Sequence, residues 1–133
     1  LIDYVHESAK DDFKNIASKY WPGALTMVIP CSKKERPILT SMDFTLGLRI
    51  PNSFMAQSLM KETGPLLTSS ANISGSTGSF TVEGVALDFP SVDILGPLPW
   101  EKNSGKASTI ISWKKNGDWR VIRQGEVLVK GFN

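Results

Sequence analysis

Segments with the two-residue period of a β-strand alternate with segments with the period of an α-helix along this chain. The series ends in two strand-type segments joined by Lys115-Asn116-Gly117-Asp118, and Asn-Gly is the strongest short-range signal for a hairpin. Strands separated by helices favour a sheet flanked by helices, and a hairpin adds an antiparallel pair. We therefore predict a single α/β domain over residues 1–133, with a twisted, open, mixed sheet.

The apolar spacing predicts where the individual elements lie. Helices are expected over residues 8–20, 53–62 and 81–89. Gly64 would end the second helix, and Thr81 would cap the third. The second helix is expected to pack through Phe54, Ala56, Leu59 and Met60. Strands are expected over residues 25–29, 46–50, 66–69, 92–95, 108–113 and 119–122.

The content of cysteine, histidine and charge limits the chemistry that the chain can perform. Cys31 is the only cysteine, so an internal disulfide is excluded and a reducing cytoplasm is the expected location. His6 is the only histidine, and we expect a surface or capping residue rather than a general base. The longest apolar run is too short to span a bilayer, so no membrane partner is expected. The net charge of +2 does not by itself indicate nucleic-acid binding.

Polar residues interrupt the apolar pattern at a few places. Arg49, on an otherwise apolar strand, is either an ion-paired or snorkelling arginine or a clamp for a carboxylate or phosphate. The stretch Ser-Ser-Ala-Asn at residues 69–72 follows a predicted strand. It is either a flexible turn or a ligand-binding loop at the carboxyl end of that strand. Ser108 and Arg123 lie at neighbouring strand ends and could point into one cleft.

Several motifs, taken in order, resemble the YrdC-like family of threonylcarbamoyl-AMP synthases. They are KYWPGALTMVIP at residues 19–30, LGLRIP at 46–51, LLTSSANISG at 66–75, STII at 108–111 and VIRQGEV at 121–127. The resemblance implies an open α/β sheet with a large, concave, positively charged face. It also implies the conversion of L-threonine, bicarbonate and ATP to threonylcarbamoyl-AMP and pyrophosphate, with Mg²⁺ held through the phosphates. A tRNA threonylcarbamoyl-transfer protein would then pass the group to tRNA.

The resemblance also implies roles for individual residues. The residues that would bind ATP are Thr45, Ser70, Asn72 and Arg123. Those that would bind L-threonine are Arg49, Thr68 and Ser108. No protein acid or base is required, because threonine carbamate is already an anionic nucleophile. Catalysis would then rest on positioning and on electrostatic stabilisation of the developing charge.

The family pattern begins earlier than this chain does. A strand–turn–helix element resembling P-T-D-T-x-Y-G-L, and a K-x-R motif whose Lys and Arg face the ATP phosphates, would stand ahead of Leu1. We therefore expect the domain to lack its N-terminal portion and the chain alone to be inactive or weakly active. Two alternatives stay open: a non-catalytic YrdC-like module that binds RNA or a nucleotide, and a purely structural fragment.

Overall fold

The computed structural model describes residues 1–32, 44–73, 75–76, 78–79, 81–100 and 104–132. The chain divides into two compact units. The first unit comprises Leu1–Asn52 and Lys106–Asn133, and the second comprises Ser53–Gly105. The expectation of one N-terminally incomplete domain over the whole chain stays a prediction.

The first unit is built on a four-stranded sheet in the order β2-β1-β3-β4. These strands are β1 (Leu25–Pro30), β2 (Thr45–Leu48), β3 (Thr109–Trp113) and β4 (Trp119–Arg123). β1 is parallel to β3 and antiparallel to β2, and β3 is antiparallel to β4. The predicted α/β class with an open mixed sheet is confirmed.

Helix α1 (Lys10–Tyr20) packs its apolar side against one face of this sheet. α1 begins two residues later than predicted, because a short 3-10 turn, Glu7–Ala9, precedes it. His6 caps that turn, since its ring accepts a hydrogen bond from the N–H of Ser8, and the expected capping role is confirmed. The buried cluster between helix and sheet consists of Val5, Ala9, Phe13, Ile16, Leu25, Met27, Ile29, Ile111 and Trp119.

Strand alternation leaves a second face of the sheet, opposite α1. In β1 the buried residues Leu25, Met27 and Ile29 face the core, so Thr26 and Val28 lie on this second face. Leu48 of β2 pairs with buried Met27, so its neighbours Gly47 and Arg49 lie on the second face.

β3 and β4 form the predicted hairpin, with Gly117 at φ 81° in its turn. Ile111 pairs with Val121, but Ile110 pairs with Arg123. Ile122 is therefore an extra residue, a β-bulge. With regular alternation Arg123 would share the face of buried Trp119. The bulge instead turns Arg123 to the second face.

The second unit contains α2 (Phe54–Thr63) and α3 (Val82–Asp88). Both begin at predicted positions with capping side chains: Ser53 accepts a hydrogen bond from the N–H of Ala56, and Thr81 accepts one from the N–H of Gly84. Gly64 ends α2 at φ 77°. Among the residues described above, no helix is both long and apolar enough to cross a membrane.

Two strand expectations for the second unit are wrong, and the expected packing of α2 holds only for Ala56 and Met60, which are half-buried. No strand forms over residues 66–69 or 92–95. Leu67 is 88% exposed and Val92 56% exposed, and neither run pairs with a strand of the described structure. Residues 69–72 therefore do not follow the end of a strand. α2 also buries none of its residues fully, and Phe54 is 76% exposed. An apolar run without a neighbouring strand or core does not form the element that its composition favours.

Candidate functional site

Arg49, just after β2, reaches back to the turn that precedes β1. Its Nε donates a 2.9 Å hydrogen bond to the carbonyl oxygen of Gly23. The N–H of Gly23 in turn donates to the carbonyl oxygen of Ile50 at 2.8 Å. Glycine is needed there, because a Cβ would overlap the carbonyl oxygen of Tyr20. The WPG turn and the LGLRIP segment, distant in sequence, therefore form one unit that holds Arg49.

Trp21 anchors that turn to the core. Its ring lies edge-on to the ring of Phe13, with centroids 5.4 Å apart and planes at 80°. Its indole Nε1 donates to the carbonyl oxygen of Leu25 at 2.7 Å. The turn that holds Arg49 is thus fixed to both α1 and β1.

The environment of Arg49 leaves most of its guanidinium for a ligand. Burial lowers the pKa of the guanidinium, and the negative charge of Glu126 opposes that shift. The group stays charged at neutral pH because arginine has a very high ordinary pKa. Within the described residues the two Nη atoms make no hydrogen bond. They form a planar pair of donors that suits a carboxylate or phosphate.

Ser108, just ahead of β3, contacts both the hydroxyl of Thr26 and the guanidinium of Arg123. Its Oγ lies 3.0 Å from Oγ1 of Thr26 on β1. Nη2 and Nε of Arg123 donate to the carbonyl oxygen of Ser108 at 2.8 and 3.2 Å. In the described part of the chain, Nη1 of Arg123 makes no hydrogen bond. Arg123 is therefore held by one edge of its guanidinium and presents the other.

These groups lie at one end of the sheet, where β1 and β3 begin and where β2 and β4 end. We call this end, defined by Gly23, Thr26, Arg49, Ser108 and Arg123, the amino end of the sheet. It offers guanidinium and hydroxyl donors on one face. That donor set suits the oxygens of an anion, whereas a metal ion requires acceptor ligands.

The structure brings together Arg49, Ser108 and Arg123 but not Thr45. Thr45 pairs with Pro30, at the opposite end of the sheet. Four residues of extended strand separate it from Arg49, about 13 Å at the usual rise. The role of Thr45 in binding ATP stays a prediction.

The remaining predicted site residues belong to the second unit. Thr68 and Ser70 are exposed. Asn72 is half-buried, and its Nδ2 donates to the carbonyl oxygens of Ile73 and Ser76 at 3.2 and 3.1 Å. Asn72 therefore closes its own turn through the amide nitrogen, and its Oδ1 makes no hydrogen bond to any residue that the structure describes. The roles of these three residues in binding ATP or threonine also stay predictions.

Sequence reasoning missed Thr26 and the carbonyl of Gly23. Thr26 lies within the WPGALT motif, where a hydroxyl interrupts an apolar strand. That signal was visible, but its meaning depends on the pairing of β1 with β3, which places Thr26 beside Ser108.

A separate pocket of about 570 Å³ lies near the other end of the sheet. Pro30 and Trp113, at the ends of β1 and β3, contribute to its wall. The Nε1 of Trp113 donates to Oδ2 of Asp12 at 2.8 Å. The described residues that line it are His6, Ser8, Asp12, Pro30, Trp113, Lys115 and Gly117. None of these is a predicted site residue, so the pocket does not mark the candidate site.

These features define the class of the protein. It is an α/β protein with an open mixed sheet, in which a WPG turn and a Ser–Arg pair hold two arginines at the amino end of the sheet. A family model for the Sua5/YciO/YrdC proteins, described as "Telomere recombination", matches residues 1–125. The chain belongs to this family.

Two curated relatives of this chain share one name. The chain is 35% identical over 82 residues to the threonylcarbamoyl-AMP synthase of Bacillus subtilis (strain 168), covering 60% of this chain and 24% of the relative. It is 34% identical over 98 residues to the threonylcarbamoyl-AMP synthase of Yersinia pestis (strain Pestoides F), covering 71% of this chain and 52% of the relative. The chain thus spans about half the length, or less, of these relatives.

Solved structures agree with this assignment. P. abyssi Sua5 complexed with L-threonine superposes with a TM-score of 0.76 at 29% identity, covering 93% of this chain and 36% of that one. E. coli YciO superposes with a TM-score of 0.70 at 27% identity, covering 98% of this chain and 62% of that one. The fold predicted from the motifs is therefore confirmed by structural neighbours.

Proposed function

We propose that this chain carries the threonine-binding and part of the ATP-binding machinery of a threonylcarbamoyl-AMP synthase. The observation that carries the proposal is the amino end of the sheet, where motifs from four parts of the sequence hold Arg49, Ser108 and Arg123 on one face. Curated relatives of this chain are named threonylcarbamoyl-AMP synthases. The substrates are L-threonine, bicarbonate and ATP, and the products are threonylcarbamoyl-AMP and pyrophosphate.

In this proposal Arg49 grips the carboxylate of L-threonine. Its Nε is engaged by Gly23, so the Nη atoms are oriented without further cost for a two-point contact. The hydroxyls of Ser108 and Thr26 supply hydrogen bonds to the polar groups of the amino acid. Thr68 is a further threonine contact that the family resemblance implies. The similarity to a Sua5 that was solved with L-threonine supports this substrate.

ATP is the second ligand of the proposed site. In this proposal Arg123 contacts the phosphates through its Nη1 edge. Thr45, Ser70 and Asn72 are the further nucleotide contacts that the family resemblance implies. The donors at the amino end of the sheet suit phosphate oxygens rather than a metal ion, so Mg²⁺ enters bound to the phosphates of ATP.

In this proposal the side chains promote the reaction through their positive charge rather than by acting as a general acid or base. The amine of threonine condenses with bicarbonate to the carbamate with release of water. A carbamate oxygen then attacks the α-phosphorus while pyrophosphate leaves. The residues of this chain contribute by orienting the carbamate through Arg49 and by stabilising negative charge on the phosphoryl oxygens through Arg123. The product would be consumed by a tRNA threonylcarbamoyl-transfer protein in the cytoplasm.

Calorimetric titration with L-threonine tests the proposal. Arg49→Gln should weaken binding about tenfold or more, because a hydrogen-bonded charge contact typically contributes about 1.5–3 kcal/mol. Arg120→Gln is the matched control, because it removes the same charge at a different place. Arg120 pairs with Ser112, further along the sheet. Equal losses in both variants, or no binding by the unmodified chain, would contradict the threonine assignment.

The same preparation separates the competing functions. Pyrophosphate release from ATP, L-threonine and bicarbonate should be weak or absent for the 133-residue chain, and robust turnover would contradict that expectation. A salt-dependent affinity for tRNA that survives Arg49→Gln, in the absence of ATP binding, would instead indicate a non-catalytic RNA-binding module.

A further inference from the structure

Thr109 is the one buried polar side chain among the residues that the structure describes, with 0% of its surface exposed. Its hydroxyl donates a 2.6 Å hydrogen bond to the carbonyl oxygen of Val127 and accepts one of 2.9 Å from the N–H of Gly125. Nε2 of Gln124 lies 3.4 Å from the same oxygen. One hydroxyl thus ties the start of β3 to the segment that follows β4.

Gly125 brings that segment against the backbone on either side of Ser108. A Cβ at this position would overlap the carbonyl oxygen of Ala107 and lie 2.6 Å from the carbonyl oxygen of Ser108. The N–H of Glu126 donates to the carbonyl oxygen of Ala107 at 2.9 Å. This close approach is possible only for glycine, and it fixes the backbone of Ser108 from behind.

Gln124 closes the same segment upon itself. Its Nε2 donates to the carbonyl oxygen of Val127 at 2.8 Å and to that of Gly125 at 3.1 Å. The segment therefore turns sharply just after Arg123, while the bulge at Ile122 lies just before it. Arg123 is held between two fixed points of the backbone.

We propose that Thr109, Gln124 and Gly125, here named the Thr109 cluster, are positioning residues for the ligand groups Ser108 and Arg123. Thr109 lies on the core face, directly next to Ser108, so the cluster acts through these residues rather than by touching the ligand. The identity of the ligand rests on the proposed function. The positioning itself rests on the hydrogen bonds from Arg123 to the carbonyl oxygen of Ser108.

The first test compares Thr109→Val with Thr109→Ser and Ile111→Val in the 133-residue chain. Thr109→Val keeps the shape but removes the hydroxyl, and ATP affinity should fall roughly tenfold. Thr109→Ser retains a hydroxyl and should keep the ATP affinity of the unmodified chain. Ile111→Val trims a buried residue on the same strand, so it lowers the melting temperature without disturbing the cluster, and ATP affinity should be unchanged. Affinity that follows the melting temperature across all three variants would overturn the proposal.

The second test does not depend on any ligand. The Nε–H signal of Arg123 in a ¹⁵N-resolved proton spectrum reports its hydrogen bond to Ser108. Thr109→Val should shift this signal and speed its exchange with water, whereas Thr109→Ser and Ile111→Val should leave both unchanged. If Thr109→Val does not fold, Gln124→Met takes its place, because Gln124 is exposed and its loss leaves the core intact.

The two proposals fail in distinguishable ways. A chain that binds neither ATP nor L-threonine contradicts the proposed function, and the Thr109 cluster is then judged by the Arg123 signal alone. An Arg123 signal that is the same in Thr109→Val, or in Gln124→Met, and in the unmodified chain would overturn the positioning role whatever the ligand.

Discussion

The two compact units differ in how their elements are stabilised. Every fully buried residue in the described part of the chain belongs to the first unit, where α1 and the sheet share one core. The described part of the second unit buries no side chain fully, and Leu67 and Leu87 are 88% and 82% exposed. Its helices begin at the capping residues Ser53 and Thr81. The first unit has a shared buried core, whereas the described side chains of the second unit are at most partly buried.

The residues of the proposed site also differ between the two units in how firmly they are held. Arg49, Ser108 and Arg123 are held by hydrogen bonds to the sheet and to the turn that precedes it. Thr68 and Ser70 make no hydrogen bond within the described part of the chain. A preorganised contact loses less conformational entropy upon binding. We therefore expect the first unit to supply most of the specific affinity for L-threonine.

The largest expected effect distinguishes the buried core of the first unit from the exposed apolar side chains of the second. Met27→Ala should lower the free energy of unfolding by about 2–5 kcal/mol, because Met27 is fully buried between α1 and the sheet. Leu67→Ala should change it by less than about 0.5 kcal/mol, because that side chain is already exposed. Urea denaturation of both variants measures the difference. Comparable losses would show that Leu67 is buried in solution and would end the distinction between the units.

A pair of glycine variants tests the turn that holds Arg49. Gly23→Ala should cost about 1–3 kcal/mol and weaken L-threonine binding, because the new Cβ overlaps the backbone oxygen of Tyr20 and displaces the partner of Arg49. Gly78→Ala in the second unit meets its nearest atom at 3.7 Å, an ordinary contact, and should be almost neutral. Denaturation and calorimetry check both variants, and unchanged threonine affinity in Gly23→Ala would argue against the turn as the holder of Arg49.

The loop of the second unit is tested through ATP affinity. Asn72→Ala should cost about 1–2 kcal/mol of ATP binding, since one hydrogen-bonding amide is lost. Ser76→Ala removes the 2.7 Å hydrogen bond from the hydroxyl of Ser76 to Ile73 in the same turn but leaves Asn72 in place. If both variants lose the same affinity, Asn72 only shapes the turn and the nucleotide contact is wrong.

The smallest expected effect concerns the capping of α3. Thr81→Ala should cost about 1 kcal/mol, because the N–H of Gly84 loses its side-chain acceptor. Thr81→Ser retains the acceptor and should be close to neutral. Helix content by circular dichroism together with the urea midpoint checks both. A loss as large as that of Met27→Ala would mean that α3 unfolds together with the core of the first unit.

The same contrast explains how much of the molecule the sequence predicts. α1, all four strands of the sheet and the hairpin turn follow from period and turn chemistry, because core burial reinforces the local pattern there. The runs at residues 66–69 and 92–95 carry similar apolar composition but lack strand partners in the described structure.

For the site, the sequence predicts roles for Arg49, Ser108 and Arg123, and the structure places all three at one end of the sheet. It could not reveal the carbonyl of Gly23 or the hydroxyl of Thr109, since backbone acceptors and strand pairing determine those contacts. The bulge at Ile122, which turns Arg123 to the second face, is likewise a property of register rather than of composition.

The most direct test of the proposed threonine site is a titration of the ¹⁵N-labelled chain with L-threonine, followed by the backbone amide signals. The largest changes should occur at Gly23, Thr26 and Ser108, with little change at Gly117 near the opposite end of the sheet. Changes centred on Gly117 and the hairpin turn, or no saturable change at all, would contradict a threonine site at the amino end of the sheet.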